Sequence, residues 1–373
     1  MKILILNYEY PPAGGGAGNQ TKLLAEEFVG KGHDALVVSS HFKGMPFFEI
    51  VDGLKIIRVP AFRKHKSKSS LLQMAIYLTA AKLPFFILCL FWKPDVILSF
   101  FLMPTSILAV TGKMFFGIPC IVSLRGGDVP SHMPGNTGGY NLLFKKIADF
   151  IVRKADMFTS VGSALSETAE NDFPGIKNKL RTIRNGIRVK QRYRRKYDKI
   201  NFIFLGRLSP EKRVYELIEY MHEIDFDFNF YIIGDGSERS RITALLNKIK
   251  DSRIRYCGWL DKKEAFALLK KSHFMLMNSE VEGLSVSALE ANSFGTPIIS
   301  ARCKGMNEFI VPGRNGFLFD NAEEFAKIIN KVVNFTPEEY DDLSRNSQNV
   351  MKKEFDISVK AEEYLDLFEE VTR

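Results

Sequence analysis

The chain has 373 residues, of which 46% are hydrophobic and 25% charged, and it carries a formal net charge of +9. This length exceeds what one hydrophobic core usually organises, so we expect a soluble protein of two domains. The first residues, MKILILN, lead into polar and proline residues rather than a secretory signal, which predicts a cytoplasmic protein. The cysteines at 89, 120, 257 and 303 stand far apart, which disfavours a C-x-x-C metal or redox pair and a disulfide framework.

The positive charge is concentrated in the N-terminal half. Residues 1–185 hold 22 Lys and Arg against 13 Asp and Glu, and residues 186–199 hold seven against one. Residues 200–373 hold 23 against 29 and are therefore acidic. This asymmetry favours an anionic partner for the N-terminal half, either nucleic acid or an acidic membrane surface, although scattered solubilising charge is the alternative.

Apolar runs alternate with helix-like stretches from the start of the chain. The runs KILILN, DALVVSS, DVILSF, PCIVSL and DMFTSVG each border a segment with 3.6-residue periodicity. This alternation predicts an α/β domain with a mainly parallel sheet. The exception is Phe47 to Pro60, where Asp52-Gly53 between two β-rich runs predicts a hairpin at the sheet edge.

Residues Leu71 to Trp92 form a 22-residue, mostly apolar run that is long enough to cross a bilayer. Lys82 and Pro84 interrupt this run, and it lies within the βα series. We therefore predict a pair of helices that are buried or touch a membrane, rather than a transmembrane span. The basic stretch FRKHKSKSS directly precedes the run, and cations followed by an apolar helix predict reversible binding to an anionic membrane. A basic loop before ordinary core helices is the alternative.

The βα rhythm stops near Asn185-Gly186. Residues 186–199, GIRVKQRYRRKYDK, are charged and poor in apolar side chains, which predicts a basic linker. A second βα series occupies residues 200–355, with the runs NFYIIGDG, HFMLMNS, TPIIS and NGFLF. Residues 1–185 and 200–355 are therefore predicted to be two Rossmann-like domains in tandem. The amphipathic tail, residues 356–373, predicts a helix that can pack on either domain and so return to the first.

Four glycines follow the first strand in YPPAGGGAGNQTK, and Gly15 and Gly16 stand before the next helical stretch. Glycine lets backbone N–H groups approach a phosphate at a helix N-terminus, where the helix dipole favours negative charge. The dinucleotide fingerprint is incomplete, because Asn19 occupies the last glycine position and the second strand ends without an acid. A nicotinamide enzyme is therefore disfavoured, and a tight turn with close helix packing remains the alternative.

Two cations follow the first strand of the second series, in FLGRLSPEKRVYELI. Arg207 and Lys212 lie between a strand and a helix, where α/β sheets bind ligands in a crevice at the carboxyl ends of the strands. A guanidinium and an ammonium beside a helix start suit a pyrophosphate. Ordinary surface cations are the alternative.

The segment MNSEVEGLSVSALEANSFGTPIIS predicts a strand, a loop with Glu282 and Gly283, and a helix that contains Glu290. Free N–H groups near Leu284 and Ser285 at the helix start would meet a phosphate. Carboxylates accept hydrogen bonds from vicinal hydroxyls, so one glutamate suits a sugar and the other a ribose. The layout fits a nucleotide sugar, while a solvated loop glutamate and a glutamate paired in the core are the alternative.

With these motifs the sequence resembles the retaining glycosyltransferases of family 4, which have the GT-B fold. The resemblance covers nearly the whole chain, from the glycine-rich loop through Gly206-Arg207, IIGDGSER and Glu282-x7-Glu290 to NEFIVPGRNGFLF. It implies an α/β architecture in which two Rossmann-like domains with parallel sheets face each other across a cleft. It also implies sugar transfer from a nucleotide-diphosphate sugar with retention of configuration, and no metal or other cofactor.

The resemblance assigns a role to each of these residues. Glu282 would lie at the transferred sugar and Glu290 at the ribose, while Arg207 and Lys212 would hold the pyrophosphate. The implied donor-binding residues are Gly15, Gly16, Arg207, Lys212, Gly283, Leu284, Ser285 and Glu290.

One motif departs from the family pattern. Family members often carry His-Gly-x-Asp after a strand of the first domain, whereas this chain reads SLRGGDVPSH, with Arg125 at the histidine position and Asp128 retained. Glu282, Asp128 and Arg125 form the predicted catalytic group, although arginine cannot act as a general base at neutral pH. Arg125 would instead bind a charged acceptor or pair with Asp128, and His132 is interpreted as an ordinary loop residue.

A metal-dependent glycosyltransferase of the other common fold requires an Asp-x-Asp motif, which Asp225-Phe226-Asp227 matches. This tripeptide precedes a strand and would lie away from the crevice at the carboxyl ends of the strands. It therefore predicts a connecting turn, and no metal site is expected.

The leading hypothesis is a cytoplasmic glycosyltransferase, peripheral on the inner face of the cell membrane, that acts in the assembly of cell-surface polysaccharide such as lipopolysaccharide. Its acceptor would be a glycan or a lipid-linked sugar. The main alternative is a non-catalytic basic module that binds a membrane or nucleic acid, but no aromatic platform or recognition helix supports nucleic acid. A phosphorylase of similar fold would need a Schiff-base lysine for pyridoxal phosphate, to which this chain does not point.

Overall fold

A computed structural model describes residues 1–63, 69–132, 142–195, 199–280, 282 and 284–373. The chain divides into two compact units, Met1–Gly186 with Ile357–Arg373 and Ile187–Asp356. The boundary lies one residue beyond the predicted end of the first domain. The predicted linker is not a separate segment, because its described residues after Gly186 belong to the second unit.

Arginine contacts explain why the basic segment packs on the second unit. Arg192 pairs with Asp341 at 2.5 Å. The Arg195 guanidinium donates to the Thr296 hydroxyl at 2.7 Å and to the Lys270 carbonyl at 3.0 Å. Because carboxylate and carbonyl groups on the folded surface accept hydrogen bonds from these arginines, the segment packs on the second unit instead of forming an extended linker.

A mainly parallel sheet organises the first unit. Its strands are β1 (Lys2–Leu6), β2 (Asp34–Ser40), β3 (Phe48–Val51), β4 (Leu54–Val59), β5 (Val96–Phe100), β6 (Cys120–Ser123), β7 (Met157–Ser160) and β8 (Leu180–Thr182). Their order is β3-β4-β2-β1-β5-β6-β7-β8. The predicted edge hairpin is confirmed, because β3 and β4 pair antiparallel around Asp52 and Gly53, both with left-handed backbone.

Helices cover both faces of this sheet. They are α1 (Gly16–Gly30), α2 (Leu71–Ile87), α3 (Thr105–Phe116), α4 (Leu142–Lys154) and α5 (Ser163–Asp172). In β1, Ile3 and Ile5 belong to one core and Leu4 and Leu6 to the other. A strand segment that is buried on both faces favours apolar side chains at every position, which is why residues 3–6 of β1 form an unbroken apolar run.

The second unit is built on six parallel strands. These are β9 (Ile200–Leu205), β10 (Phe228–Ile233), β11 (Ile254–Gly258), β12 (Phe274–Met277), β13 (Ile298–Ala301) and β14 (Gly316–Phe319), in the order β11-β10-β9-β12-β13-β14. Its helices are α6 (Val214–His222), α7 (Arg239–Ile249), α8 (Lys262–Lys271), α9 (Val286–Ser293), α10 (Lys304–Phe309), α11 (Ala322–Val333) and α12 (Pro337–Val350). Two parallel sheets, one in each unit, confirm the predicted α/β class.

Each sheet reverses its winding direction at one point. β1 lies between β2 and β5, and β9 lies between β10 and β12. At such a point the loops from the carboxyl ends of neighbouring strands turn to opposite faces of the sheet and leave a crevice where ligands bind. The loops after β1 and β5 therefore border a crevice in the first unit, and those after β9 and β12 border one in the second.

The apolar run forms one helix rather than the predicted pair. α2 continues into a π-helical turn, Leu88–Trp92, and carries Pro84 within it. Ser70 begins α2 through a reciprocal hydrogen-bonded cap with Gln73. Among the described residues this is the one helix whose length and hydropathy would permit a membrane span, and 22% of its most apolar stretch is buried.

The C-terminal helix α13 (Ile357–Thr372) belongs to the first unit. Its Phe368 ring packs on Phe28 of α1 at a centroid distance of 5.5 Å. The Tyr364 hydroxyl lies 3.1 Å from the Ser123 hydroxyl and 3.0 Å from that of Thr159, at the ends of β6 and β7. The tail therefore returns to the first unit and covers one face of its sheet.

Candidate active site

Two of the predicted site residues form an ion pair in the second unit. Lys212 follows β9 and Glu282 follows β12, and the Lys212 ammonium donates to the Glu282 carboxylate. Both side chains are largely buried, with exposed fractions of 18% and 15%. The Ser279 hydroxyl donates to the same carboxylate over 3.4 Å. The reversal between β9 and β12 thus brings together a cation and an acid that stand 70 residues apart.

Hydrogen bonds between the two loops hold this pair in place. The Glu280 N–H donates to the Glu211 carbonyl at 2.9 Å, and the Asn278 amide donates to the Arg213 carbonyl at 3.3 Å. The Arg213 guanidinium also pairs with the Glu280 carboxylate at 2.9 Å. Arg213 has a left-handed backbone, φ 46°, at the start of α6. These bonds fix the backbone on both sides of the ion pair.

Arg207 is exposed at the carboxyl end of β9, on a loop that packs against its neighbour through glycines. A Cβ atom on Gly234 would lie 1.8 Å from the Gly206 carbonyl oxygen. One on Gly236 would lie 2.1 Å from the Leu208 carbonyl oxygen. The two glycines of the motif IIGDG are therefore required for the close approach of backbone that supports Arg207.

Glu211 lies in the same loop as Arg207 and Lys212. The Ser209 hydroxyl donates to the Glu211 carboxylate at 2.5 Å. This bond, together with the charges of Lys212 and Arg207, holds the pKa of Glu211 below its usual value. Glu211 is therefore ionised at neutral pH, and it offsets part of the positive charge beside the loop.

Ser285 begins α9 at the predicted position. Its hydroxyl accepts the Ala288 N–H at 3.4 Å, so one amide of the first turn already has a partner. Leu284 is half-buried before it. Gly283, also predicted to bind the donor, lies outside the described residues.

Glu290 lies on α9, and its carboxylate pairs with Lys262 at 3.1 Å. Lys262 is the first residue of α8, and its ammonium also lies 5.1 Å from the centroid of the Phe266 ring. The sequence did not predict this partner, because no motif relates Lys262 to Glu290. Their contact depends on the placement of α8 beside α9 in the folded unit.

The glycine-rich loop of the first unit has an acid partner that the sequence did not predict. The Gly15 N–H donates to the Glu9 carboxylate at 3.1 Å. Gly14 has a left-handed φ of +106°, and a Cβ there would lie 2.6 Å from the Glu9 Cβ. Among the described residues, no atom lies within 4 Å of a Cβ built on Gly15 or Gly16. Turn geometry therefore accounts for Gly14, whereas Gly15 and Gly16 present an open surface.

Asp128 joins the loops that follow β5 and β6. Its largely buried carboxylate accepts the N–H groups of Leu102 and Arg125, each at 2.9 Å and each on a different oxygen. Burial raises the pKa of this carboxyl group, and the backbone bonds oppose the rise. Asp128 therefore fixes the shape of both loops.

The Arg125 side chain contacts Phe100, Asn185 and Tyr364 rather than the Asp128 carboxylate. Its guanidinium lies 4.2 Å from the centroid of the Phe100 ring and donates to the Asn185 amide oxygen at 2.8 Å. A longer bond of 3.5 Å reaches the Tyr364 hydroxyl of α13. Burial lowers the pKa of the guanidinium. The predicted pairing with Asp128 thus runs through the Arg125 backbone amide, and the side chain ties the loop after β6 to the end of the first unit.

The Asp-x-Asp tripeptide lies at the amino end of β10. Asp227 pairs with Lys199 at 2.7 Å, and the next residue begins the strand. Within the described ranges, no group of three or more His, Cys, Asp or Glu side chains is arranged to hold a metal ion. The tripeptide therefore forms a connection between elements. The side chain of His132 lies outside the described part of the chain.

Two family models match adjoining parts of the sequence. The model named Glycosyltransferase Family 4 matches residues 14–191, and that named Glycosyl transferases group 1 matches residues 187–350. Together they include every predicted site residue.

Curated relatives are similar at low to moderate identity. A glycogen synthase of Mycobacterium tuberculosis is 24% identical over 341 residues, 85% of this chain and 81% of that protein. The lipopolysaccharide 1,6-galactosyltransferase of Escherichia coli K12 is 31% identical over 140 residues, 35% of this chain and 39% of that protein.

Solved structures share the whole fold. The sucrose-phosphate synthase of Thermosynechococcus elongatus has a TM-score of 0.79 at 16% identity, covering 99% of this chain and 98% of that one. Anabaena HepE, solved in complex with UDP, has a TM-score of 0.73 at 16% identity, covering 99% and 100%. The chain therefore belongs to the family 4, group 1 glycosyltransferases and has their GT-B fold of two Rossmann-like units.

Proposed function

We propose that the protein is a retaining, metal-independent hexosyltransferase that moves a sugar from a nucleotide-diphosphate sugar to a glycan or lipid-linked acceptor. The observation that carries this proposal is the pair of Lys212 with Glu282 at the winding reversal of the second sheet, with Arg207 on the same loop as Lys212. The two cations match a diphosphate, and the carboxylate matches sugar hydroxyls.

The similar proteins support a nucleotide-sugar donor. The HepE structures of similar fold are described as complexes with UDP and with UDP-glucose, so UDP-glucose is the first donor to test. In this chain Glu290 would accept hydrogen bonds from the ribose hydroxyls, beside the Lys262 ammonium that pairs with its carboxylate. The relative named lipopolysaccharide 1,6-galactosyltransferase supports a role in cell-surface polysaccharide assembly.

Donor binding would rearrange the ion pair. The diphosphate carries more negative charge than one carboxylate, so it would compete with Glu282 for the Lys212 ammonium. Glu282, held by Ser279 and released in part from Lys212, would then accept hydrogen bonds from the transferred sugar. The same pair thus links diphosphate binding to sugar positioning.

Retention of configuration follows from attack on the face from which the diphosphate leaves. The bond from the anomeric carbon to the phosphate oxygen breaks as the bond to the acceptor oxygen forms, and the acceptor proton passes to the departing phosphate. Arg207 and Lys212 stabilise the negative charge that develops on that phosphate. This preorganised charge supplies what a metal ion supplies in other transferases.

In the first unit, Asp128 and Arg125 would act by positioning. Asp128 holds the two loops at the carboxyl ends of β5 and β6, and Arg125 anchors one of them to Asn185. The open amide surface at Gly15 and Gly16 is suited to the donor phosphate, with Glu9 as the group that it would displace.

We also propose that the first unit binds peripherally to the cytoplasmic face of the cell membrane. Highly exposed apolar side chains lie along α2, its π-helical continuation and the end of α3: Leu83, Ile87, Leu90, Phe91, Met114 and Phe115. The rings of Phe86 and Phe115 lie 6.4 Å apart, which connects the two helices. Four cations of the basic stretch were expected to contact anionic headgroups: Arg63 is buried, which corrects that expectation for it, and Lys64, Lys66 and Lys68 lie outside the described residues. Burial of the apolar side chains and attraction of the cations would together hold the unit on an anionic membrane.

We expect Arg207→Ala and Lys212→Ala each to weaken UDP binding by about 10-fold to 150-fold, because a charge-assisted hydrogen bond contributes about 1.5–3 kcal/mol. Isothermal titration of UDP measures the loss. Lys248→Ala, an exposed cation on α7, is the matched control and should bind UDP normally. Near-normal affinity and turnover in both site variants would refute the assignment.

Glu282→Gln should slow turnover more than it weakens nucleotide binding, whereas Glu290→Gln should mainly weaken the nucleotide. The Glu282 carboxylate is assigned to the sugar and the Glu290 carboxylate to the ribose. Loss of the first should therefore lower the turnover rate, and loss of the second should raise the dissociation constant for UDP. UDP affinity and UDP-glucose turnover of both variants decide this. Equal losses of UDP affinity would contradict the division of roles.

Turnover should survive chelation. Because Arg207 and Lys212 are proposed to stabilise the negative charge of the leaving diphosphate, the rate of UDP-glucose consumption in excess EDTA should stay within about twofold of the rate without EDTA. Loss of turnover in EDTA that manganese restores would show that a metal, and not the cation pair, stabilises the leaving group.

The protein should sediment with vesicles that contain anionic lipid and not with neutral vesicles. Changing Lys64, Lys66 and Lys68 to Gln should weaken binding, since each cation near the surface contributes about 1 kcal/mol, and Phe91→Ser should weaken it further. Arg63 is left unchanged because it is buried and donates to the Tyr8 carbonyl.

Lys248→Gln serves as the control for a general loss of charge. Binding that ignores lipid charge and all of these substitutions, or no binding at low salt, would indicate an enzyme with a soluble acceptor. Vesicle binding without any nucleotide-sugar turnover would instead support the non-catalytic module.

A further inference from the structure

A cavity of about 420 Å³ lies in the first unit, at the winding reversal of its sheet. It is bordered by Tyr8 after β1, Phe101 after β5 and Asp128 after β6. The rings of two of these lining residues, Tyr8 and Phe101, lie 5.3 Å apart. Its size falls in the range of roughly 300–1,000 Å³ that small-molecule sites occupy, and its position is where open α/β sheets bind ligands.

One wall of this cavity is a face of α2. Leu71, Met74, Ala75 and Leu78 line it, and their spacing of three and four residues places them on one side of the helix. The buried side of the same helix carries Tyr77, Ala81 and Phe85. The cavity face is therefore distinct from the face that packs on the core.

The described residues of the cavity wall are mostly apolar. Among the twelve described residues that line it, Asp128 carries the one charge, and both of its carboxylate oxygens accept backbone N–H groups. Leu71 is 77% exposed and Ala75 is also exposed, so α2 presents hydrocarbon to the cavity that protein packing does not bury. Saccharide hydroxyls would find few partners along this wall, which makes their burial unfavourable. A hydrocarbon would gain from the same contact.

We propose that this cavity binds the hydrocarbon segment of the acceptor, so that the acceptor is a lipid-linked sugar and not a free saccharide. The inference rests on the proposed transferase function and names its acceptor class. The chain would lie along the α2 face, with the sugar towards the Asp128 end, where the loops after β5 and β6 meet. An isoprenoid chain and a straight acyl or alkyl chain share the chemistry that this wall recognises.

The test measures binding of glucosides that differ in their hydrocarbon chain. Methyl β-glucoside is the reference, n-octyl β-glucoside is the straight-chain probe and citronellyl β-glucoside is the isoprenoid probe, each below its micelle concentration. Because a buried methylene improves affinity about fourfold, the octyl or the citronellyl probe should bind at least about 100-fold more tightly than the methyl reference. The tighter of the two probes identifies the type of chain.

Substitutions on α2 locate the binding. Ala75→Trp fills the cavity and should reduce octyl or citronellyl binding at least tenfold. Thr79→Trp, at an exposed position one turn further along the same helix and outside the cavity, should not. Met74→Gln keeps the side-chain volume but adds a polar amide, and it should weaken binding if Ala75→Trp does not fold.

Equal affinity for methyl and long-chain glucosides would overturn the inference, as would equal losses in Ala75→Trp and Thr79→Trp. UDP binding, measured in the same preparations, separates this failure from that of the proposed function. A wild-type protein that binds UDP but shows no preference for a hydrocarbon chain refutes the cavity assignment alone. A protein that binds the long chains at this wall but not UDP refutes the transferase proposal.

Discussion

The winding reversal of each parallel sheet is the constraint on which the rest of the structure depends. Strands such as β1 are buried on both faces along most of their length, which leaves little room there for the polar groups of a site. Arg207, Lys212 and Glu282 lie instead in loops that follow the carboxyl ends of strands, and among the described elements neighbouring loops diverge between β1 and β5 and between β9 and β12. The ion pair of the second unit and the apolar cavity of the first both lie at such points.

At the winding reversal of the second sheet, the Lys212 and Glu282 charges stabilise each other. Lys212 and Glu282 are both largely buried, and removing one partner leaves a charge with poor access to water. The bonds among the flanking loops and the glycine contacts at Gly234 and Gly236 hold the backbone around the pair. This backbone would keep the loops in place while a donor diphosphate competes with Glu282 for the Lys212 ammonium.

Sequence pattern predicted what depends on local chemistry. The sequence predicted the βα alternation, the Asp52-Gly53 hairpin and the start of α9 at Ser285, because periodicity, turn residues and helix caps act over a few positions. It did not predict contacts between segments that are distant in the chain. Nothing in the sequence marked Glu9 as the partner of Gly15 or Lys262 as that of Glu290.

The interpretation of the basic segment and of the apolar run failed for related reasons. Charge alone suggested a linker at residues 186–199, but its arginines bind acceptors that the second unit provides only when folded. Lys82 and Pro84 suggested a break in the apolar run, but α2 continues through both residues. The Lys82 side chain is exposed, and the helix tolerates the backbone hydrogen bond that Pro84 cannot donate. For Arg125 the pattern left two roles open, binding a charged acceptor or pairing with Asp128, whereas in the fold its guanidinium contacts the Phe100 ring and the Asn185 amide oxygen.

The central claim is that one ammonium serves both the Glu282 carboxylate and the donor diphosphate. A double-mutant cycle on UDP affinity, with Lys212→Met, Glu282→Gln and the combined variant, tests it most directly. The account predicts that Glu282→Gln leaves UDP binding unchanged or tighter when Lys212 is present, because the competing carboxylate charge is gone. In the Lys212→Met background the same substitution should lose that effect, while Lys212→Met alone weakens UDP strongly. Identical effects of Glu282→Gln in both backgrounds, or normal UDP affinity in Lys212→Met, would contradict the account.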